Sequence, residues 1–162
     1  MQRGGRLKMP ENYKEPIRAI ALFYCVNAVD RQVVKKLEGN CQLDLRLVKM
    51  PCSSMVKEVF LLRALEAGAE AVLVLVCPKG HCQFADGNIR ASKRVERTGK
   101  LLGEAGLGGG RVSINDAKLE TEEEILLALR QALSQADASG IAAGSKISNK
   151  EYIPSSADGV EK

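Results

Sequence analysis

The most constraining feature of the sequence is the run A-V-L-V-L-V at residues 71–76, which has no polar side. An apolar run without polar alternation is typical of a strand buried on both faces, in the middle of a parallel sheet. The run ends at Cys77-Pro78 and is followed by a polar loop. A chain with such a strand has to cover both faces of its sheet, which favours helices on either side.

Similar but shorter strand patterns alternate with helical patterns along the chain. Residues 17–23 and 43–50 predict strands before the central one, and residues 111–114 predict a fourth strand at an edge. Helices are predicted at 29–37, from Ser53 or Ser54 to Gly68, at 89–104 and at 121–136. This order indicates an α/β fold with a small doubly wound parallel sheet of about four strands, similar to flavodoxin-like folds.

The helical segments carry more detailed predictions. Gly39 and Asn40 predict the end of the first helix, because both tolerate left-handed backbone. Acidic residues 122–124 are placed in the first turn of the last helix, where they complement its dipole. The positions predicted to face inward are Val56, Val59, Phe60 and 62–65 in the second helix, and Ala91, Val95, Leu101 and Leu102 in the third.

The ends of the chain differ in composition from its middle. Residues 1–15 form a basic arm, residues 16–137 the predicted domain, and residues 138–162 a tail without apolar periodicity, predicted to be flexible. The net charge of +4 and the absence of Trp give no support to nucleic-acid binding. The sequence shows neither a signal peptide nor a long apolar run, so we expect a cytoplasmic protein without membrane insertion.

Cysteines are the most informative residues for function. The chain has five, and without an export signal they favour metal binding or redox chemistry over a disulfide framework. Cys25, Cys52 and Cys77 each follow a predicted strand, and Cys82 lies in the loop after the third. Because the carboxyl ends of parallel strands share one edge, we expect these four thiols to converge there.

Several kinds of chemistry remain open to four such thiols. They suit tetrahedral zinc or an iron–sulfur cluster, and isolated Cys25 and Cys52 favour the cluster, since structural zinc sites commonly use two close pairs. Strand-end cysteines also occur as ordinary core residues. A thiol redox enzyme would use Cys77 and Cys82, and Cys25 as a nucleophile would need His81, the one histidine, which is predicted to lie in solvent. Cys41 lies away from the predicted edge and is not expected to be a ligand.

Basic residues recur at spacings of three and four on the predicted third helix. Such a stripe is by default a solvated face, and the alternative is a docking surface for an acidic partner or a cofactor phosphate. Its members are Arg90, Lys93, Arg94, Arg97 and Lys100.

Four segments together resemble a known family. They are F-Y-C at 23–25, K-M-P-C-S-S at 49–54, A-L-E-A-G-A-E-A-V-L-V at 64–74 and C-P-K-G-H-C-Q-F-A-D-G-N at 77–88. These segments resemble the delta subunit of methyl-viologen-reducing hydrogenases, and the likeness runs from about residue 17 to residue 136. The resemblance implies an electron-transfer protein with a [2Fe–2S] cluster and without catalytic residues of its own. Its implied partners are a hydrogenase or a formate dehydrogenase on one side and a flavin-bearing, heterodisulfide-reductase-like protein on the other.

The resemblance assigns the cysteines individually. It implies that Cys25, Cys52, Cys77 and Cys82 bind the iron of the cluster, and Gly80, Gly87 and Asn88 also match the family pattern. The chain departs from that pattern in its first segment, where Tyr24 and Ala28 stand in place of two cysteines, and in its third, at Pro78, His81 and Gln83. Four matching thiols remain, which completes one site and leaves no spare ligand.

Overall fold

The structure is a computed structural model that describes residues 18–40 and 43–140. Strands and helices alternate through this range. In chain order they are β1 (Ala19–Cys25), α1 (Arg31–Asn40), β2 (Asp44–Met50), α2 (Glu58–Glu66), β3 (Ala71–Leu75), α3 (Gly87–Glu104), β4 (Val112–Asn115) and α4 (Glu122–Ala138). Single 3-10 turns at Ser53–Met55 and Gly109–Arg111 precede α2 and β4.

The four strands form one parallel sheet in the order β2-β1-β3-β4. Tyr24 of β1 is in register with Lys49 of β2 and with Leu75 of β3, so these three strands end close together. This order places β4 at one edge, as the sequence predicts. It also matches the strand order of flavodoxin-like folds, in which ligands bind outside the carboxyl ends of the strands.

Helices cover both faces of the sheet, which confirms the doubly wound arrangement. Ile20 and Leu22 point to the face covered by α1 and α4, while Ala21 and Phe23 point to the face covered by α2 and α3. Every residue of β3 is buried, because its alternating side chains enter a separate core on each side. The unbroken apolar pattern at 71–76 follows from this double burial.

Some details of the helices differ from the sequence-based predictions. The helix α1 ends at Asn40, at the predicted Gly39-Asn40 stop, whereas the start of α2 differs. The serines at 53 and 54 do not cap α2; they lie in the preceding 3-10 turn, and Lys57 is the N-cap.

The predicted inward faces of two helices are also partly wrong. In α2, Leu61 and Leu65 are buried four residues apart, and this register turns Val59, Phe60 and Leu62 towards solvent. In α3, Leu102 is buried and therefore its neighbour Leu101 is exposed, whereas Ala91 and Val95 are buried as predicted.

The last helix is fixed at both ends. Thr121 and Glu124 form a capping box at its start, and all three acidic residues 122–124 lie in its first turn. Near its end, Asp137 accepts two hydrogen bonds from Arg18, at 2.7 and 2.8 Å, while Arg18 also contacts Glu70 at 2.8 Å. Arg18 thereby ties the start of β1 to α4.

The predicted basic arm at 1–15 and the predicted tail beyond residue 140 lie outside the described residues. None of the helices in the described part of the chain is both long and apolar enough to cross a bilayer.

Candidate metal centre

Four cysteines lie at the carboxyl edge of the sheet. Cys25 is the last residue of β1, while Cys52 and Cys77 follow the ends of β2 and β3 by two residues each, and Cys82 lies in the loop before α3. The first three are buried, and Cys82 is partly exposed. Cys41 lies outside the described residues.

Cys25 and Cys77 form a close pair. Their Sγ atoms are 3.8 Å apart, because β1 and β3 are neighbours in the sheet and end at nearly the same level. Two thiolates on one tetrahedral metal ion, with metal–sulfur bonds of about 2.3 Å, lie about 3.8 Å apart. The strand ends thus hold this pair at the separation that a shared metal ion requires.

Cys52 and Cys82 form a second group around Gly87, the first residue of α3. A Cβ atom at Gly87 would lie 2.6 Å from the Cys52 Sγ and 3.0 Å from the Cys82 Sγ. Both distances are shorter than a carbon and a sulfur tolerate, so the two thiols occupy the space that any other residue's side chain would need. Glycine at this position is therefore required by the two sulfurs rather than by the backbone, which is helical there.

A buried hydroxyl lies beside the same two sulfurs. Ser53 is fully buried, and its Oγ lies 3.5 Å from the position of a Gly87 Cβ. This Oγ has no hydrogen-bond partner among the described residues. An unpaired buried hydroxyl costs about 1–3 kcal/mol, so its presence beside the thiols indicates a partner other than the described residues.

The loop that carries Cys82 is anchored by Asn88. Its Nδ2 donates to the carbonyl oxygens of Cys77 and Pro78, both at 3.1 Å, which fixes the loop against the end of β3. Sequence reasoning matched Gly87 and Asn88 only through the family resemblance, and it did not identify Ser53. The position of Ser53 directly after Cys52 was the available signal.

Cys77 and Cys82, one thiol from each pair, differ in acidity. Burial, reinforced by the Cys25 thiol, raises the pKa of Cys77 to about 12. Burial acts in the same direction on Cys82, but backbone N–H groups of Phe84, Asn88 and Gly87 outweigh it and lower the pKa of that thiol. The loop and the start of α3 are thus arranged to stabilise a thiolate.

The four thiols do not surround a single point. Within residues 18–40 and 43–140, no three side chains from His, Cys, Asp and Glu are grouped closely enough to hold one metal ion. His81, predicted to lie in solvent, is exposed in the loop. The arrangement is therefore two neighbouring pairs, Cys25 with Cys77 and Cys52 with Cys82.

The residues of the predicted basic stripe on α3 make different contacts. Arg94 donates from Nη1 to the carbonyl oxygens of Ser54 and Val56, both at 2.6 Å, and so fixes the turn after Cys52. Arg97 contacts Glu58 of α2 at 3.2 Å. Arg90, Lys93 and Lys100 are exposed and make no ion pair with the described residues. Only these three remain available to a partner.

Comparison with known proteins supports one family. The family described as methyl-viologen-reducing hydrogenase, delta subunit, matches residues 20–138. The chain is 33% identical over 107 residues to the iron-sulfur subunit of the F420-non-reducing hydrogenase of Archaeoglobus profundus, covering 65% of this chain and 77% of that protein. It is 39% identical over 70 residues to the iron-sulfur subunit of the F420-non-reducing hydrogenase vhu of Methanocaldococcus jannaschii, covering 43% of this chain. That match spans about half of the relative, 52% of its length.

A different kind of protein contains a similar stretch. One chain of the ferredoxin:CoB-CoM heterodisulfide reductase of Methanosarcina mazei is 33% identical over 69 residues, which are 43% of this chain and 9% of that protein. The match to the family extends over β1 to α4, with all four cysteines inside it. The chain therefore belongs to the methyl-viologen-reducing hydrogenase delta subunit family.

Proposed function

We propose that this protein is an electron-transfer subunit that binds one [2Fe–2S] cluster through Cys25, Cys52, Cys77 and Cys82. The observation that carries the proposal is the arrangement of the four thiols as two pairs at one edge of the sheet. When bound, a [2Fe–2S] cluster supplies one-electron redox chemistry at a potential set by its protein surroundings.

The donor set fits a cluster with two irons better than a single zinc ion. Each iron of such a cluster takes two protein thiolates, and the chain offers Cys25 with Cys77 and Cys52 with Cys82. The pairing therefore favours iron–sulfur binding over a zinc-stapled module.

The residues around the thiols also suit this role. Gly87 leaves the space beside Cys52 and Cys82 free of side-chain atoms. The buried Ser53 hydroxyl and the N–H groups near Cys82 are donors, and donors beside sulfur atoms stabilise negative charge on them. These groups would favour the reduced, more negative state.

The names of the relatives support the proposed partners. The relatives include hydrogenase iron-sulfur subunits, and one chain of a heterodisulfide reductase includes a stretch similar to this protein. A module of this kind within the second protein supports contact between this chain and a heterodisulfide-reductase-like flavoprotein. A hydrogenase is the proposed electron donor, and a formate dehydrogenase is the alternative donor.

The proposed contact surface lies around Cys82, the most exposed of the four cysteines. Three large apolar side chains close to it in sequence or structure are exposed: Met55 by 50%, Phe84 by 63% and Ile89 by 48%. The unpaired cations Arg90 and Lys93 follow Ile89 on α3. An apolar centre bordered by cations suits an acidic partner surface and predicts salt-dependent association.

Metal analysis and spectroscopy of protein purified without oxygen test the proposal. We expect about two irons per chain, no zinc, and a rhombic EPR signal that appears on reduction with dithionite. Stoichiometric zinc, or no metal and a silent spectrum, would instead identify an interaction module that bridges the other proteins of a complex without redox activity.

Cysteine variants test the assignment of ligands. We expect Cys52→Ala and Cys82→Ala to give folded proteins that do not retain the cluster, because the site has no spare thiol. Cys41→Ala is the matched control and should retain its iron. Equal iron loss in all three variants would contradict the assignment.

A further inference from the structure

The two pairs of cysteines differ in the hydrogen-bond donors around their sulfur atoms. The backbone N–H of Ser54 donates to the Cys52 Sγ at 3.4 Å. The Cys82 thiol receives hydrogen bonds from backbone N–H groups as well, those of Phe84, Gly87 and Asn88. Both sulfurs of this pair therefore face N–H groups that are fixed by the backbone.

The Ser53 hydroxyl adds a donor between the same two sulfurs. Its Oγ is buried, has no partner among the described residues, and lies 3.5 Å from the point that a Gly87 Cβ would occupy. That point is 2.6 Å from the Cys52 Sγ and 3.0 Å from the Cys82 Sγ. Because a hydroxyl rotates its proton to suit an acceptor, this donor is available to negatively charged sulfur in the site.

The helix α3 adds a favourable electrostatic field on the same side. It has 18 residues and begins at Gly87, next to the Cys52 and Cys82 sulfurs. The start of a long helix carries a partial positive charge, which stabilises negative charge placed there. The N–H groups, the hydroxyl and the helix thus act together on one pair.

The strand-end pair has no comparable donors. The Cys25 sulfur contacts the carbonyl oxygen of Pro51 at 3.9 Å and the Cys77 Sγ at 3.8 Å. Cys77 is influenced by burial and by the other three thiols, without a contribution from a backbone N–H group of the described residues. Added negative charge on this pair would face a carbonyl oxygen and apolar surroundings.

Exposure to water differs in the same sense. Cys82 is partly exposed, whereas Cys25 and Cys77 are buried. Water and hydrogen bonds to sulfur both stabilise the reduced, more negative form of an iron–sulfur cluster. Each of these effects therefore favours extra negative charge on the side of Cys52 and Cys82.

We infer that Cys52 and Cys82 hold the iron that accepts the electron when the proposed cluster is reduced, whereas Cys25 and Cys77 hold an iron that stays ferric. The inference rests on the proposed function and adds where the electron resides. One electron from the reductant, dithionite in the test, converts one ferric ion to ferrous, and no bond has to form or break. The electron then lies on the side that carries Cys82 and the proposed contact surface.

Proton NMR of the reduced full chain over a range of temperatures tests the inference. In a coupled pair of irons the larger ferric spin aligns with the field and opposes the ferrous spin, and warming weakens this opposition. The contact shifts of cysteine β-protons therefore shrink on warming at the ferric iron and grow at the ferrous iron. We expect them to grow at Cys52 and Cys82 and to shrink at Cys25 and Cys77.

Isotope labels assign the signals to individual cysteines. Labelling cysteine with 13C and the following residue with 15N identifies each one, because the residues that follow are Val26, Gln42, Ser53, Pro78 and Gln83. Cys41→Ala removes the ambiguity between the two glutamines.

Three outcomes overturn the inference in distinguishable ways. Growth at Cys25 and Cys77 would place the electron on the other iron, and the same behaviour at all four cysteines would show an electron shared by both irons. Either result would leave the proposed function intact. Absence of iron and of any EPR signal after reduction would overturn the proposed function and the inference together.

Ser53→Ala tests the contribution of the hydroxyl. Loss of this donor should weaken the preference, so the contact shifts at Cys52 and Cys82 should move towards those at Cys25 and Cys77. A merely structural role of the hydroxyl would not change this distribution.

Ser54→Ala is the matched control, because it removes a neighbouring hydroxyl and keeps the backbone N–H that donates to the Cys52 Sγ. It should show the shifts of the unaltered protein. Equal changes in the Ser53 and Ser54 variants, or no change in either, would overturn the role assigned to the Ser53 hydroxyl.

Discussion

The two pairs of cysteines are held by different kinds of structure. Cys25 and Cys77 sit at the ends of adjacent central strands, and the sheet sets their 3.8 Å separation. Cys52 and Cys82 lie in a turn and a loop, and they meet at Gly87 through the packing of the start of α3. One pair is therefore fixed by the sheet, while the other depends on how a turn and a loop pack against the start of α3.

The two pairs also differ in how easily one of their thiols, Cys77 or Cys82, loses its proton. Cys77 of the strand-end pair is buried, and burial raises the pKa of its thiol, so a thiolate there is unfavourable without a metal ion. The loop pair has backbone donors directed at Cys82, which favour the thiolate even in the metal-free protein. We infer that the core supplies geometry, whereas the loop supplies the charge-stabilising donors.

Thiol alkylation of the metal-free protein tests this comparison most directly. Cys82, whose pKa is lowered, should react with iodoacetamide at lower pH than Cys77, whose rate should keep rising until about pH 12. At neutral pH the thiolate fraction should be larger at Cys82 than at Cys77. Mass spectrometry of each cysteine over pH gives the rates. Equal pH profiles would remove the proposed distinction between the pairs.

Substitution of Gly87 should break the loop pair and leave the strand-end pair in place. In Gly87→Ala the new Cβ would lie 2.6 Å from the Cys52 Sγ, so the two sulfurs have to separate. We expect iron content to fall several-fold while circular dichroism stays unchanged.

Gly103→Ala is the control for that substitution. It lies in the same helix, and its Cβ would meet no atom within 4 Å. It should keep its iron and gain about 1 kcal/mol in the free energy of unfolding, because alanine favours a helix interior over glycine. Iron loss of the same size in both variants would point to a general weakening of α3.

Ser53→Ala should change two separate quantities, the free energy of unfolding of the metal-free protein and the reduction potential of the iron-loaded protein. In the metal-free protein it removes a buried hydroxyl without a partner among the described residues, so the free energy of unfolding should rise by about 1–2 kcal/mol. In the iron-loaded protein, loss of this donor should lower the reduction potential. Denaturant unfolding and a redox titration measure the two effects. An unchanged potential would show that the hydroxyl does not act on the metal site.

Thr121→Ala should have the smallest effect of these substitutions, because Thr121 lies far in sequence from both pairs of cysteines. The capping box at the start of α4 lies outside both pairs, so its loss should cost about 1 kcal/mol of stability. Iron content should not change. A loss of iron would mean that the site depends on the whole fold rather than on the elements that carry the cysteines.

Much of the fold could be predicted from local patterns. The run at 71–76 indicated the central strand, because both of its faces are buried, and the cysteines after three strands indicated a shared edge. The inward face of α2 could not be predicted so well, since apolar residues occur all round that helix. Packing against α3 and the sheet selected Leu61 and Leu65, and Val59 and Phe60 remained exposed.

The candidate site, too, could be predicted only in part from the sequence. The sequence indicated which four thiols would reach one edge, but not that they would form two pairs, because Cys52 and Cys82 are 30 residues apart in the sequence. Their meeting at Gly87 follows from the position of α3 against the turn at Ser53–Met55.

The sequence by itself thus determined the order of strands and helices, the burial of the central strand and the common edge of the four cysteines. These depend on periodicity and on chain connectivity, which are local. Only the tertiary structure decided the pairing of the thiols and the placement of the Ser53 hydroxyl. These depend on distances between elements that are remote in the chain, and such distances are fixed only when the elements pack together.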